Sequence, residues 1–241
     1  MTKLTLWQYD ISPFSDKVRR AAFYKGLDYD VREVLISETG KLKHISPTGK
    51  FPVLETNGQY IVDSTDILAF FEELQPEPSL TPAAPRDAAL ATILEDWSDE
   101  SLYFYDLSMR AWPQNMDWFL DDLLRHEPKG WKNWLFRKLI PSQLPKAGKQ
   151  QGIGRKTQAT ITKDITSLFT AISALLDGKE WLVGDSLSHA DLAVRSMTYV
   201  INRAIEGRAA LDTLADVRAW EARVDGLTLA EPADNERPTP A

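Results

Sequence analysis

Alternation of apolar and polar side chains, broken once at Leu6-Trp7, marks the start of the chain. Residues 4–9, Leu4-Thr5-Leu6-Trp7-Gln8-Tyr9, alternate well enough to predict a strand. From Ser15 to Tyr24 the period becomes helical, with Val18, Ala21 and Ala22 on one face and Gly26 placed to stop the helix. Tyr29 to Leu35 predicts a second strand, and residues 37–48 a polar loop. Val53-Leu54-Glu55 and Gln59-Tyr60-Ile61-Val62 flank Asn57-Gly58, a pair that accepts positive φ, so this stretch predicts a hairpin. A helix over Ser64 to Leu74 follows, with Ile67, Leu68, Phe70 and Phe71 as its apolar face. The order is βαβ and then ββα.

Pro76, Pro78, Pro82 and Pro85 interrupt every pattern and mark the best domain boundary in the chain. Beyond them the periodicity is helical throughout. One long amphipathic helix is expected from Arg86 to about Trp112, an irregular to helical stretch over 113–154, and helices over 156–176, 188–204 and 211–224. The domains are expected at 1–76 and 86–228, with a disordered tail over 229–241, which is polar and rich in proline. One helix start is specified closely. Ser188 stands at the N-cap and Asp191 three residues on, an acidic capping box, with Leu187 and Leu192 able to close a hydrophobic staple around it.

Composition changes the picture in three places. At 241 residues, with 43% hydrophobic and 26% charged side chains, the chain is of ordinary globular make-up. No apolar run approaches the ~18 residues of a membrane span, and Met1-Thr2-Lys3 opens no signal-peptide pattern, so a cytoplasmic location is expected. The absence of cysteine excludes disulfides, thiolate zinc sites and any catalytic protein thiol. The three histidines show no ligand spacing, and no metal is expected. A net charge of −7 argues against nucleic acid as a partner. The charge is uneven, however: residues 128–163 hold nine Lys or Arg and no Asp or Glu, interleaved with Trp131, Trp134 and Phe136. That stretch is either a solvated face or a surface that favours anionic substrates or an acidic membrane.

The residues with candidate chemistry sit where strands hand over to helices. Ser12-Pro13-Phe14-Ser15 carries a small hydroxyl into a helix N-terminus, where free N–H groups and the helix dipole favour an anion. Lys50-Phe51-Pro52-Val53-Leu54 and Val62-Asp63-Ser64-Thr65-Asp66 follow in order. About 120 residues later comes Gly184-Asp185, then Ser188, Ala190 and Asp191. This series resembles the glutathione transferases over most of residues 4–225. The resemblance implies an α/β thioredoxin-like N-terminal domain followed by an all-α helical-bundle domain, glutathione as co-substrate, and a homodimer. Ser12 falls where redox branches of that family carry cysteine, and both cysteines of their C-P-F-C pattern are serine here. The segment Gln151-Gly152-Ile153-Gly154-Arg155 is similar to segments in bacterial relatives and in the fax- and metaxin-like branches. The latter keep a second function open, a non-catalytic binding protein at an acidic membrane surface.

The resemblance also implies roles for residues. Ser12 would stabilise the glutathione thiolate for attack on a small hydrophobic electrophile, with Tyr9 and Ser15 as alternatives. Taken alone, Ser12 also reads as an ordinary N-cap with Pro13 behind it. Phe14, Lys43, Lys50, Phe51, Pro52, Asp63 and Ser64 would bind glutathione. The Phe51–Pro52 bond is expected to be cis, Asp63 and Ser64 to meet the γ-glutamyl end, and the lysines to meet the glycine carboxylate. Tyr103, Tyr105 and Trp112 would line the electrophile pocket, although their spacing also suits a helix core. Ser188 and Asp191 would be structural.

Overall fold

The computed structural model describes residues 3–229. Its first half is built on a four-stranded sheet in the order β2-β1-β3-β4. Strand β1 (Leu4–Gln8) leads through Ser12 and Pro13 into helix α1 (Pro13–Tyr24), which ends before Gly26 at φ 64° and returns the chain to β2 (Asp30–Glu33). β2 pairs parallel with β1. A 3₁₀ turn at 39–41 interrupts the following loop. β3 (Val53–Thr56) then runs antiparallel to β1 and forms a hairpin with β4 (Gln59–Val62), turning on Asn57 and Gly58 at φ 50° and 77°. Helix α2 (Ser64–Leu74) closes the unit.

This order has a consequence for position. Trp7 is paired with Val53, and Val53 with Val62. The end of β1, the start of β3 and the end of β4 therefore lie at the same edge of the sheet. Ser12, Phe51–Pro52 and Asp63–Ser64 are all delivered to that edge.

The second half is helical: α3 (Pro85–Trp97), α4 (Tyr103–Arg110), α5 (Pro113–Leu123), α6 (Trp131–Gln151), α7 (Gln158–Leu175), α8 (His189–Ile201), α9 (Ile205–Leu211) and α10 (Ala215–Thr228). The single helix expected over 86–112 is α3 and α4 joined by one π turn at 98–102. Such a turn admits an extra residue and shifts the face of everything after it. The stretch 113–154 holds two helices rather than irregular chain. Its Gln151-Gly152-Ile153-Gly154-Arg155 segment is a close crossing. A Cβ on Gly154 would stand 2.6 Å from the Gly148 carbonyl carbon, so only glycine lets the turn lie against the end of α6. Residues 230–241, with most of the expected disordered tail, lie outside the described residues.

One buried apolar core runs through both halves, from Leu6, Val18 and Leu54 to Met197 and Trp220. Charge crosses the same boundary. Arg20 of α1, 1% exposed, donates to Asp16, Asp225 and Thr228, and Asp225 also receives Arg195 of α8. Every charge in that group has an opposite partner, which is the condition for burying it.

The capping box is formed. Asp191 is fully buried and accepts from the Ser188 N–H at 3.0 Å, the Ser188 hydroxyl at 2.8 Å, the Leu182 N–H at 3.0 Å and the Trp220 indole at 2.9 Å. The carboxylate thus ties the start of α8 to the preceding loop and to α10, more than a cap alone requires.

Candidate active site

Ser12 is the N-cap of α1, half-buried, and its Oγ accepts a long 3.4 Å hydrogen bond from the Ser15 N–H. Accepting uses a lone pair and leaves the hydroxyl proton free to donate outward. Pro13 has no N–H, and the Asp16 N–H answers the Ser12 carbonyl at 3.0 Å. Among the described residues the Phe14 N–H has no partner, and it stands at the positive end of the helix dipole beside Ser12. The Ser12 hydroxyl and the Phe14 N–H are the two unspent donors at this helix start.

The alternatives fare differently. Tyr9 packs edge-on to Phe51, with ring centroids 5.5 Å apart, and its hydroxyl is hydrogen-bonded to Thr39 Oγ1. Thr39 spends its own proton on the Leu35 carbonyl, so Tyr9 must be the donor in that pair. Burial raises the Tyr9 pKa. Its proton faces the β2 loop and is occupied there. Ser15 is 0% exposed, and its hydroxyl has no hydrogen-bond partner among the described residues.

At the same sheet edge the Phe51–Pro52 bond is cis. Phe51 is buried with Val34, Ile45 and Val53. Ser46 Oγ donates to the Lys50 carbonyl at 2.6 Å, which steadies the approach to Pro52. Lys43 and Lys50 are exposed and have no ion-pair partner among the described residues. Asp63 caps α2, accepting from the Thr65 N–H at 2.9 Å. Its φ of 98° lies in a region that non-glycine residues avoid, at a cost on the order of 1–3 kcal/mol. Ser64 is buried, and its hydroxyl makes no hydrogen bond among the described residues.

Of the expected pocket aromatics, Tyr103 alone faces α1. Its ring stands 5.0 Å from that of Phe14, and burial raises its pKa. Tyr105 is two residues on, about 200° around the helix, and is directed to α7, its hydroxyl 3.4 Å from Asp164 and 3.3 Å from Lys156. Trp112 is buried in the shared core. Tyr105 belongs to that core as well.

Two features escaped the sequence. Lys17, 1% exposed, lies under the first turns of α1 and α2 and donates to Glu95 at 2.8 Å, Asp99 at 2.6 Å and Thr65 at 3.4 Å. Burial opposes its charge, but the two carboxylates outweigh that and raise its pKa. Asp99 lies in the π turn, and burial lifts its pKa to about 6 against the pull of Lys17. The two directions agree once counted: two carboxylates share one ammonium, and the surplus charge is what takes up a proton. The second feature is a wall over the β1–α1 loop, made by the end of α5 and the turn after it. Glu127 accepts from the Ser37 N–H at 2.9 Å, and Arg125 pairs with Asp10 at 3.1 Å. Small clefts on either side of Ile11 are bounded by this wall, one reaching Glu33 and His126, the other Tyr199 and Arg203. A lysine on an apolar-faced helix and a distant glutamate give no local pattern to find.

Residues 6–79 match the N-terminal domain of glutathione S-transferases, and residues 137–228 match the C-terminal domain. The chain belongs to the glutathione S-transferase family. It is 38% identical to a probable maleylacetoacetate isomerase of Caenorhabditis elegans over 86 residues, 34% of this chain and 40% of the worm protein. The match therefore spans less than half of that relative. A probable glutathione S-transferase of Nicotiana tabacum is 27% identical over 209 residues, 86% of this chain and 75% of the tobacco protein. A glutathione S-transferase from Rhodospirillum rubrum F11 superposes with a TM-score of 0.65 at 24% identity, covering 98% of this chain and 96% of its own. The wall over Ile11 falls between the two matched segments of the chain. Among its described residues no cluster of His, Asp or Glu could hold a metal ion, and no helix is long and apolar enough to cross a membrane.

Proposed function

We propose that the protein is a glutathione transferase in which Ser12 holds the glutathione thiolate for attack on a small hydrophobic electrophile. The observation that carries this is the pair of unspent donors, the Ser12 hydroxyl and the Phe14 N–H, at the sheet edge that also receives Pro52 and Ser64. A free thiol has a pKa near 8.5 and is only a few per cent ionised at neutral pH. Lowering it by ~2 units takes roughly 2.7 kcal/mol of preference for the anion. A hydroxyl bond and a helix N-terminus are of the size to supply it.

The residues present fit the tripeptide. The buried Ser64 hydroxyl and the first N–H groups of α2 suit the γ-glutamyl carboxylate, and Asp63 suits its ammonium. The Phe51 backbone suits strand-like pairing with the cysteinyl unit, and Lys43 and Lys50 the glycine carboxylate. The electrophile would enter over Ile11, between Tyr103 and the wall of Arg125 and Glu127. A homodimer is part of the proposal, with Leu90 and Ile93 as exposed apolar residues of α3; light scattering reads it directly.

Calorimetric titration with glutathione, together with turnover of a generic aryl halide, tests the reading. Saturable binding with turnover is expected. Binding without turnover of any electrophile class would turn the protein into a binding module of the same fold. Absence of glutathione binding would overturn both.

A further inference from the structure

Helix α6 has 21 residues, of which only Gly148 is buried. Its exposed positions are ordered. At 100° per residue, Trp131, Trp134, Lys138 and Leu139, ahead of the in-helix Pro141 and Pro145, fall within an arc of about 140°, and Lys146 and Lys149 follow on the exposed part of the helix beyond. Trp131 is 71% exposed and Trp134 61%. Large apolar side chains this open, on adjacent turns, signify an interaction surface rather than a core. The charge on the face is of one sign. Lys132 Nζ lies 5.9 Å over the Trp131 ring, and Lys132, Lys138, Lys146 and Lys149 have no carboxylate partner among the described residues. Arg137, on the far side of the helix, is the residue that pairs, with Asp121 at 2.7 Å. Residues 128–163 contain nine positive charges and no Asp or Glu in a chain of net charge −7; Arg137 and Lys156 pair with Asp121 and Asp164 from outside the stretch.

We infer that this face of α6 docks the protein on anionic phospholipid membranes, with the two indoles at headgroup level and the lysines on lipid phosphate. Tryptophan prefers that depth because its ring is apolar and its N–H is not. Lysine stems lie along the apolar zone while the ammonium reaches the phosphates. A second copy meeting the same face across a twofold axis would set lysines against lysines, which opposes self-association.

Co-sedimentation of the full chain with vesicles tests it. Vesicles of phosphatidylcholine carrying about 30 mol% phosphatidylglycerol should bind about tenfold or more tightly than phosphatidylcholine alone. Raising salt to about 0.5 M should weaken the binding. Trp131→Ser with Trp134→Ser, and separately Lys132→Glu with Lys138→Glu, should abolish it with melting temperatures unchanged. Equal affinity for both vesicles, no binding to either, or variants that bind like wild type would each overturn the proposal. A wild-type mass that halves in the tryptophan variants would assign the face to a second copy and overturn it equally.

Discussion

Ser12 accepts from the Ser15 N–H as a cap, and under the proposed function the same hydroxyl would donate to the thiolate; the two roles can be separated. Ser12→Ala should lower turnover of an aryl halide about tenfold or more while glutathione affinity stays close to wild type, since the lost bond is made mainly to the ionised sulfur. Steady-state kinetics beside calorimetry checks this, and Tyr9→Phe is the comparator. If Tyr9→Phe loses turnover and Ser12→Ala keeps it, the donor is Tyr9 and its bond to Thr39 breaks when glutathione binds. At this scale the sequence was readable where chemistry is local. Ser12, Pro52 and Asp63 stand at strand ends whose neighbours announce them. Tyr103 and Tyr105 were indistinguishable, because which face of a helix meets α1 depends on partners far along the chain.

Among the elements, the start of α8 shows how a local signal underestimates its own role. The S-x-x-D pattern predicts one reciprocal cap, yet Asp191 gathers four donors from three places. Asp191→Ala strands all of them in the core, and should cost about 3 kcal/mol or more, while the surviving folded protein keeps normal kinetics. Chemical denaturation with parallel KM measurement checks it; a raised KM at unchanged stability would place Asp191 at the ligand instead. The long helix after the proline boundary taught the opposite lesson. Its periodicity ran unbroken through 98–102, because a π turn leaves composition untouched while shifting the faces beyond it. The same blindness covered Gly154, whose necessity lies in Gly148 across the crossing rather than in any turn of its own.

For the molecule as a whole, two buried charge groups span its halves and respond to pH with opposite signs. Arg20, Arg19 and Arg195 overcome burial and hold Asp16 at about 2, below the ordinary 3.8. Its contribution, about 2 kcal/mol, is present above pH 4 and lost as pH falls toward 2. Asp99, raised to about 6, is the reverse. Its ionisation in the folded state costs about 3 kcal/mol, absent below pH 4 and complete above 6. Melting temperature should therefore be highest near pH 4 and fall toward pH 6, and Asp99→Asn should extend the plateau upward; a wild-type profile flat from 4 to 6 would contradict the assignment. Neither group was visible in the sequence, since α1, α3 and α10 meet only in the fold. The crossing of Gly154 on Gly148 carries a last consequence, this one for local opening. It fastens one end of α6, while no residue from Trp131 to Ile140 is fully buried. Amide hydrogen exchange should sweep the early turns of that helix well ahead of residues 148–155, so a single helix should report two exchange rates, with the glycine pair as the border between them.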